Sequence, residues 1–288
     1  MKSVSDLLAD RAQAIRDRLD ELLAHAALNY WHSPNVIGFN GDHSWAKLEP
    51  EGRRAQSRAL AEYETYIQLV RVLLRGQPQD ALRVLEETEK TLEPIIQQSG
   101  LTWCKTVDQA RAKAHAALDK QLSRVGDLYD PSEGKHVFVP DTNALYHHPD
   151  LDGWRFRSAS PFVLLLLANV LAELDEAKVN HRNPDVRQKA EALIGRVKSY
   201  RSRGNIFEGV PLAKDKITVK TTAIEPRVED SLPWLDPGNR DDRIIASLVE
   251  VTRAHARSPV VLVTRDVNLQ NKAAFAGLPF VEPPDPPP

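Results

Sequence analysis

Cysteine is nearly absent: Cys104 is the only one in 288 residues. That excludes an intramolecular disulfide and a cysteine-based zinc site, and it suits a reducing cytosol. Long apolar runs are missing too, none approaching the ~18 residues of a membrane span. The start of the chain lacks the basic, apolar and small-residue order of a signal peptide. The expectation is a cytoplasmic protein with no membrane partner. Net charge is small, a formal −2, which excludes a uniformly basic nucleic-acid binder. That sum hides a local balance, because residues 131–288 carry 21 Lys+Arg and 21 Asp+Glu. If four of those acids hold a cation, the rest of that half is positive, so a basic surface is compatible with a near-neutral chain. A glycine-rich phosphate loop is lacking, which leaves ATP or GTP dependence without support. Neither a Ser-His-Asp nor a Cys-His arrangement can be assembled.

What is present changes character halfway. Residues 5–29 place Leu8, Ala12, Ile15, Leu19, Leu22 and Ala26 at three- and four-residue steps, the stripe of an amphipathic helix. Residues 31–47 break the pattern. Three aromatics there, Trp31, Phe39 and Trp45, predict a loop that packs down. A second helix carries Leu60, Tyr63, Ile67, Val70 and Leu74, stopping near Gly76. A third runs from Pro78 to about Gln98, with a possible bend at Pro94. A fourth covers about Thr106 to Leu128. This half reads as an all-helical domain, 1–130, with no metal spacing or nucleophile motif; His115 and the acids near Glu87 read as a solvated face. The turn-rich Asp130-Pro-Ser-Glu-Gly134 reads as the linker.

From His136 strands and helices alternate, which implies a parallel sheet with covering helices. Strands are predicted near 137–139, 162–167, 217–223, 260–264 and 279–281, and helices near 168–179, 184–202, 241–256 and 267–276. The proline-rich tail, 283–288, reads as polyproline, usually a disordered end and only occasionally a docking ligand. The short run Val137-Phe-Val139 has the composition of a buried strand, and Pro140 and Asp141 follow it. At the end of a strand in an open α/β sheet, a carboxylate is delivered to the binding edge. The commoner role of such an Asp is a turn former or helix cap. Three further stretches weigh against that role alone: Leu171-Ala-Glu173-Leu-Asp175, Asn239-Arg-Asp241-Asp242-Arg-Ile244-Ile245-Ala246, and Val260-Val-Leu-Val263-Thr264-Arg-Asp266.

These four elements, in this order, resemble the PIN domain, a family of metal-dependent nucleases. The resemblance covers about half of the chain. It implies a PIN-like Rossmannoid α/β domain over residues 131–282, preceded by the all-α helical domain. It also implies a hydrolase that cuts phosphodiester bonds, most simply those of single-stranded RNA, as an endoribonuclease leaving 5′-phosphate and 3′-hydroxyl ends. Asp141, Glu173, Asp241 and Asp266 match the family's acids. Spacings of 32, 68 and 25 residues mean that only the fold can gather them. Asp141 and Asp241 are the expected direct metal ligands, with Glu173 and Asp266 completing the set. Asp242 is the alternative to Asp241, although Ile244 and Ala246 register better when Asp241 is the functional acid. Thr142, Asn143 and Thr264 match positions that orient the acids, and would otherwise serve as turn and cap residues.

Gathered carboxylates repel: two charges 4 Å apart cost about 4 kcal/mol at an effective dielectric of 20. Oxygen ligands with open positions suit Mg²⁺ or Mn²⁺. His147-His148 could be a metal pair, but adjacent histidines diverge on most backbones. The predicted helix 184–202 carries Arg187, Lys198 and Arg201 along one border of its apolar stripe. They would either track nucleic-acid phosphates or snorkel at the edge of the core. Two other functions stay open at this point, a structure-specific DNA nuclease and a non-catalytic RNA-binding scaffold. The helical domain would select substrate or engage a protein partner.

Overall fold

The computed structural model describes residues 4–30, 43–77, 79–129, 134–157, 159–213, 216–223, 225–255 and 257–286. Trp31 and Phe39, linker residues 130–133 and the last two prolines lie outside the described residues. Two compact units emerge, Leu8–Leu128 and Tyr129–Pro288 with Met1–Leu7. No helix among the described residues is long and apolar enough to cross a membrane.

The first unit is helical, built from α1 (Val4–Ala24), α2 (Pro50–Leu74), α3 (Gln79–Gln97) and α4 (Val107–Tyr129). Its core holds most of the stripes read from the sequence: Leu8, Ile15, Leu19 and Leu22 of α1, Tyr63, Ile67, Val70 and Leu74 of α2, Leu92 of α3 and Leu118 of α4 are buried. Leu60 is only half-buried, while Ala59 and Leu73, outside the predicted stripe, are fully buried. Gln121 and Thr88 are buried polar residues in that core, and Gln121 donates to Thr88 of α3 across 2.9 Å. Pro94 lies inside α3 without ending it. The unit also carries a small antiparallel sheet, β1 (Leu28–Tyr30), β2 (His43–Trp45) and β3 (Leu101–Thr102), in that order.

The second unit opens with β4 (His136–Pro140) and a short helix α5 (Thr142–His147), followed by β5 (Phe162–Leu166), α6 (Ala168–Asn180) and α7 (Pro184–Arg203). Then come β6 (Val210–Leu212), β7 (Ile217–Thr221), α8 (Arg240–Ala254), β8 (Val260–Val263), α9 (Val267–Ala276) and β9 (Phe280–Val281). The sheet order is β6-β7-β5-β4-β8-β9. All pairings are parallel except that of β6 with β7, which is antiparallel. The sheet is therefore mixed, with an antiparallel edge where a wholly parallel one was expected. Pro211, in the middle of β6, suits an edge strand because it has no N–H to donate.

β4 is the centre of this sheet in every sense that matters for a site. Chain order runs from β4 outward through β5 and β7, then returns to the other side of β4 for β8 and β9. Strand order thus reverses at β4, and crevices in open α/β sheets form at the carboxyl ends beside such a reversal. Both faces of β4 and β8 are buried, which is why they read as continuous apolar runs rather than alternating ones. Phe138 of β4 stacks on Phe156, with centroids 3.7 Å apart, and meets Phe162 of β5 edge-on at 5.2 Å. Pro140 pairs with Val263, and the next N–H, that of Asp141, donates to the Val263 carbonyl at 3.0 Å. This anchors Asp141 at the strand's carboxyl end. The tail extends the unit: Pro283 is buried, and Asp285 lies 3.5 Å from His147.

Candidate metal and nucleic-acid site

Asp141 is 3% exposed and acts first as a helix cap. Its Oδ1 accepts from the Ala144 N–H at 2.7 Å, opening α5. Its Oδ2 accepts from the Thr264 hydroxyl at 2.6 Å, across β4 and β8. Cap and ligand duties are compatible, because each carboxylate oxygen has a second lone pair. Burial pushes this carboxyl up to about 6, against the two hydrogen bonds; Asp266 and Glu173 push it further in the same direction. Two of the other candidate acids therefore lie close enough to act on the charge of Asp141.

Each neighbour is held by its own element. Asp266 caps α9, accepting from the N–H groups of Asn268 at 2.8 Å and Leu269 at 3.3 Å. Its own N–H donates to Thr264 Oγ1 at 3.0 Å, so Thr264 ties Asp141 to the start of α9. Glu173 projects from the second turn of α6, where Thr142 donates to its Oε2 at 2.6 Å. Arg240 lies 3.5 Å from Glu173 and 2.9 Å from Glu176.

Asp241 and Asp242 part company at the start of α8, whose cap is Asn239. Asp241 accepts from Asn268 Nδ2 at 2.8 Å and sits 3.5 Å from Lys272, and so faces the α9 start that Asp266 caps. Asp242 is turned inward, with an 8% exposed side chain that ion-pairs with Lys272 at 2.7 Å. It also accepts from the Asp236 N–H at 2.9 Å, fastening the loop before α8. Burial works against the Lys272 ammonium, but Asp242 and Asp241 together hold its pKa above the ordinary lysine value.

A cavity of about 260 Å³ opens beside Glu173, with Thr142, Asn143, Tyr146, Asn180 and Arg240 among its other lining residues; Asp141, Asp241 and Asp266 do not line it. A smaller one of about 100 Å³ lies on the other side of Glu173, between Asn169, Glu176 and Arg243. Burial raises the Tyr146 pKa, and Glu173 adds to the shift. Asn143 is exposed at the cavity, whereas Thr142 and Thr264 are buried and engaged with acids. The N-terminal end of α7 also reaches the cavity, through Val186. The neighbouring Arg187 donates to the His181 carbonyl at 2.6 Å, at the end of α6. Lys198 and Arg201 are exposed further along α7 and do not line the cavity. His147 and His148 diverge as expected. His147 meets Arg265 at 2.8 Å, while His148 is buried at 1% exposure against Trp154.

Among the described residues, no three His, Cys, Asp or Glu side chains stand close enough together to hold one ion as placed. Their charge is taken up pairwise instead, Glu173 by Thr142 and Arg240, and Asp241 by Asn268 and Lys272. Arg240, Lys272, Asn268 and Tyr146 went unread in the sequence, since each matters only through a partner on another helix. An acid-bearing, mostly parallel α/β unit with its carboxylates at the strand reversal defines the class of protein. Residues 138–282, half of the chain, match the PIN domain, and the chain belongs to that family, whose members are generally metal-dependent nucleases. No curated protein matches the chain.

Proposed function

We propose that this chain is an endoribonuclease that hydrolyses single-stranded RNA in the cytoplasm, using Mg²⁺ or Mn²⁺ at Asp141, Glu173, Asp241 and Asp266. The observation that carries this reading is Asp141. It is a carboxyl group buried at the strand reversal, raised to about 6 by burial, with two more acids adding to the shift. A carboxylate so placed is short of positive charge at neutral pH, which a bound cation supplies. The donors are all carboxylate oxygens, the hard ligands that these two ions prefer, so the donor chemistry fits the group, and binding would have to draw the acids closer than they stand.

When bound, the cation would lower the pKa of an attacking water and stabilise the leaving 3′ oxygen. Asp141 and Asp241 would hold it directly, with Glu173 and Asp266 completing the set through water. Thr264 and Thr142 fix the rotamers of Asp141 and Glu173. Asp242 keeps to the Asp236 N–H and Lys272, and serves to hold α8 in place. Arg240, 60% exposed beside Glu173 and part of the cavity lining, would meet a substrate phosphate there.

Labelled single-stranded RNA and DNA should be incubated with Mg²⁺, Mn²⁺ or EDTA. RNA cut within the strand in either metal and intact in EDTA is the expected result. Cleavage that persists in EDTA, or preference for branched duplex DNA, would overturn the reading.

The strand would leave the cavity past Arg187 and run along Lys198 and Arg201, which lie on one face of α7. Three phosphate contacts give single-strand binding a log–log salt slope of roughly −2. Replacing all three with Glu should flatten the slope and weaken binding across sequences, with folding intact. Unchanged affinity and slope would move the path elsewhere.

A further inference from the structure

The helical unit has its own groove, of about 590 Å³, between α3, α4 and the segment that follows β3. Ile95, Leu101, Cys104 and Ala117 provide an apolar lining. Trp103 stands at the groove with 64% of its surface exposed, a large aromatic face left to solvent. Three lysines line the same groove: Lys90 from α3, and Lys113 and Lys120 from α4. Lys113 and Lys120 are seven residues apart, two turns or roughly 10.5 Å along one face of α4. Glu87, the acid of the lining, is engaged by Lys120 at 2.9 Å. Lys113 has no ion-pair partner among the described residues, and Lys90 touches no acid within ion-pair distance, acting on Glu87 only through its charge. The groove is therefore positive, although residues 8–128 carry 16 Lys+Arg against 17 Asp+Glu.

We infer that this groove is a second binding site, for a single-stranded nucleic-acid segment, with a base stacked on Trp103 and phosphates held by Lys90 and Lys113. An exposed indole offers a flat surface to any base, which makes such binding tolerant of sequence. Ammonium groups on flexible stems suit the point charges of a backbone better than a bidentate carboxylate. The apolar lining between them would shield the stacked base from water. The site builds on the nuclease reading, because it would hold substrate on a part of the chain that lacks the acid set. It gives the helical unit a role of its own in selecting RNA.

The test is fluorescence anisotropy of a labelled oligouridine with the full chain in EDTA, so that binding is read without cleavage. Trp103→Ala should weaken binding by about tenfold, while Trp103→Phe retains most of the affinity. Lys90→Glu with Lys113→Glu should flatten the log–log salt slope by about 1.4, the share of two phosphate contacts on a single strand. All of these side chains are exposed, and a circular dichroism melt of each variant checks that folding is unaffected. Unchanged affinity and slope in both variants would overturn the site. A Trp103→Ala variant that binds RNA normally but loses a concentration-dependent dimer in sedimentation would also overturn it, in favour of a second copy of the chain. Cleavage assayed separately in Mn²⁺ keeps the two readings apart. An inactive chain that still binds through Trp103 would remove the nuclease and leave the groove, and an active chain indifferent to Trp103 would do the reverse.

Discussion

Asp141→Asn is expected to abolish cleavage and, in EDTA at neutral pH, to raise the melting temperature. A neutral amide is a poor ligand for a hard cation. Losing an outer partner of a metal ligand already costs about 10–100-fold, so losing a direct ligand should cost more than about a hundredfold. The stability effect follows from the carboxyl, whose ordinary value of 3.8 is raised in the fold to about 6. Below 3.8 both folded and unfolded chains are protonated there, and the carboxyl favours neither. Between 3.8 and about 6 the folded chain binds more protons, so stability falls as pH rises. The loss is on the order of 3 kcal/mol once pH exceeds the folded value, at 1.36 kcal/mol per pH unit. Asparagine removes that pH dependence and can still accept from the Ala144 N–H, since it is as good a cap as aspartate. For a unit of this size each kcal/mol moves the midpoint by about 2–4 °C. Adding Mn²⁺ should reverse the order once it is well in excess, because a ligand at about a thousand times its Kd stabilises the wild type by about 4.1 kcal/mol. Melting curves at pH 4 and pH 7.5, with and without metal, check all of this. A drop of several degrees for the asparagine variant in EDTA at pH 7.5 would make Asp141 a structural cap before anything else.

Much of the second unit was legible because its strands are buried on both faces. Val137 to Val139 and Val260 to Val263 are runs of a kind that exposed strands do not show, and an acid follows each. The helices of the first unit were legible from their stripes, as Leu8, Ile15 and Leu19 illustrate. Its small sheet was not. β1, β2 and β3 are two or three residues long and join residues 28–30 to 43–45 and 101–102, too short for any period and too distant for a hairpin signal. The six-residue helix α5 escaped for the same reason of length. The pairwise bonds around the acids were hidden more deeply. Lys272 is one lysine among many until α9 lies beside α8, and Arg240 looks like any exposed arginine until α6 brings Glu173 to it. The cap role of Asp141 and Asp266, the bland alternative for an acid after a strand, is present in the fold.

The adjacent acids of α8 should separate cleanly, Asp241→Asn losing activity with little change in stability and Asp242→Ala losing stability with little change in activity. The first expectation rests on exposure. The Asp241 side chain is 28% exposed, and its bonds to Asn268 and Lys272 lie at the surface end of α8. An amide there should change stability by no more than about 0.5 kcal/mol. The second rests on burial. Removing the Asp242 carboxylate takes the acceptor from the Asp236 N–H and leaves Lys272 without its nearest counter-ion. Breaking a buried pair by removing one partner costs about 3–5 kcal/mol. Lys272 keeps Asp241 at 3.5 Å and Asn239 at 3.3 Å, so the lower end of that range applies. The midpoint should then fall by about 6–12 °C, at 2–4 °C per kcal/mol. Cleavage per folded molecule, measured well below each variant's midpoint with Mn²⁺ in excess, decides the assignment. Activity retained by the Asp242 variant and lost by the Asp241 variant places Asp241 at the cation and Asp242 in the scaffold. The reverse pattern would exchange their roles, and with them the register of α8 against the site.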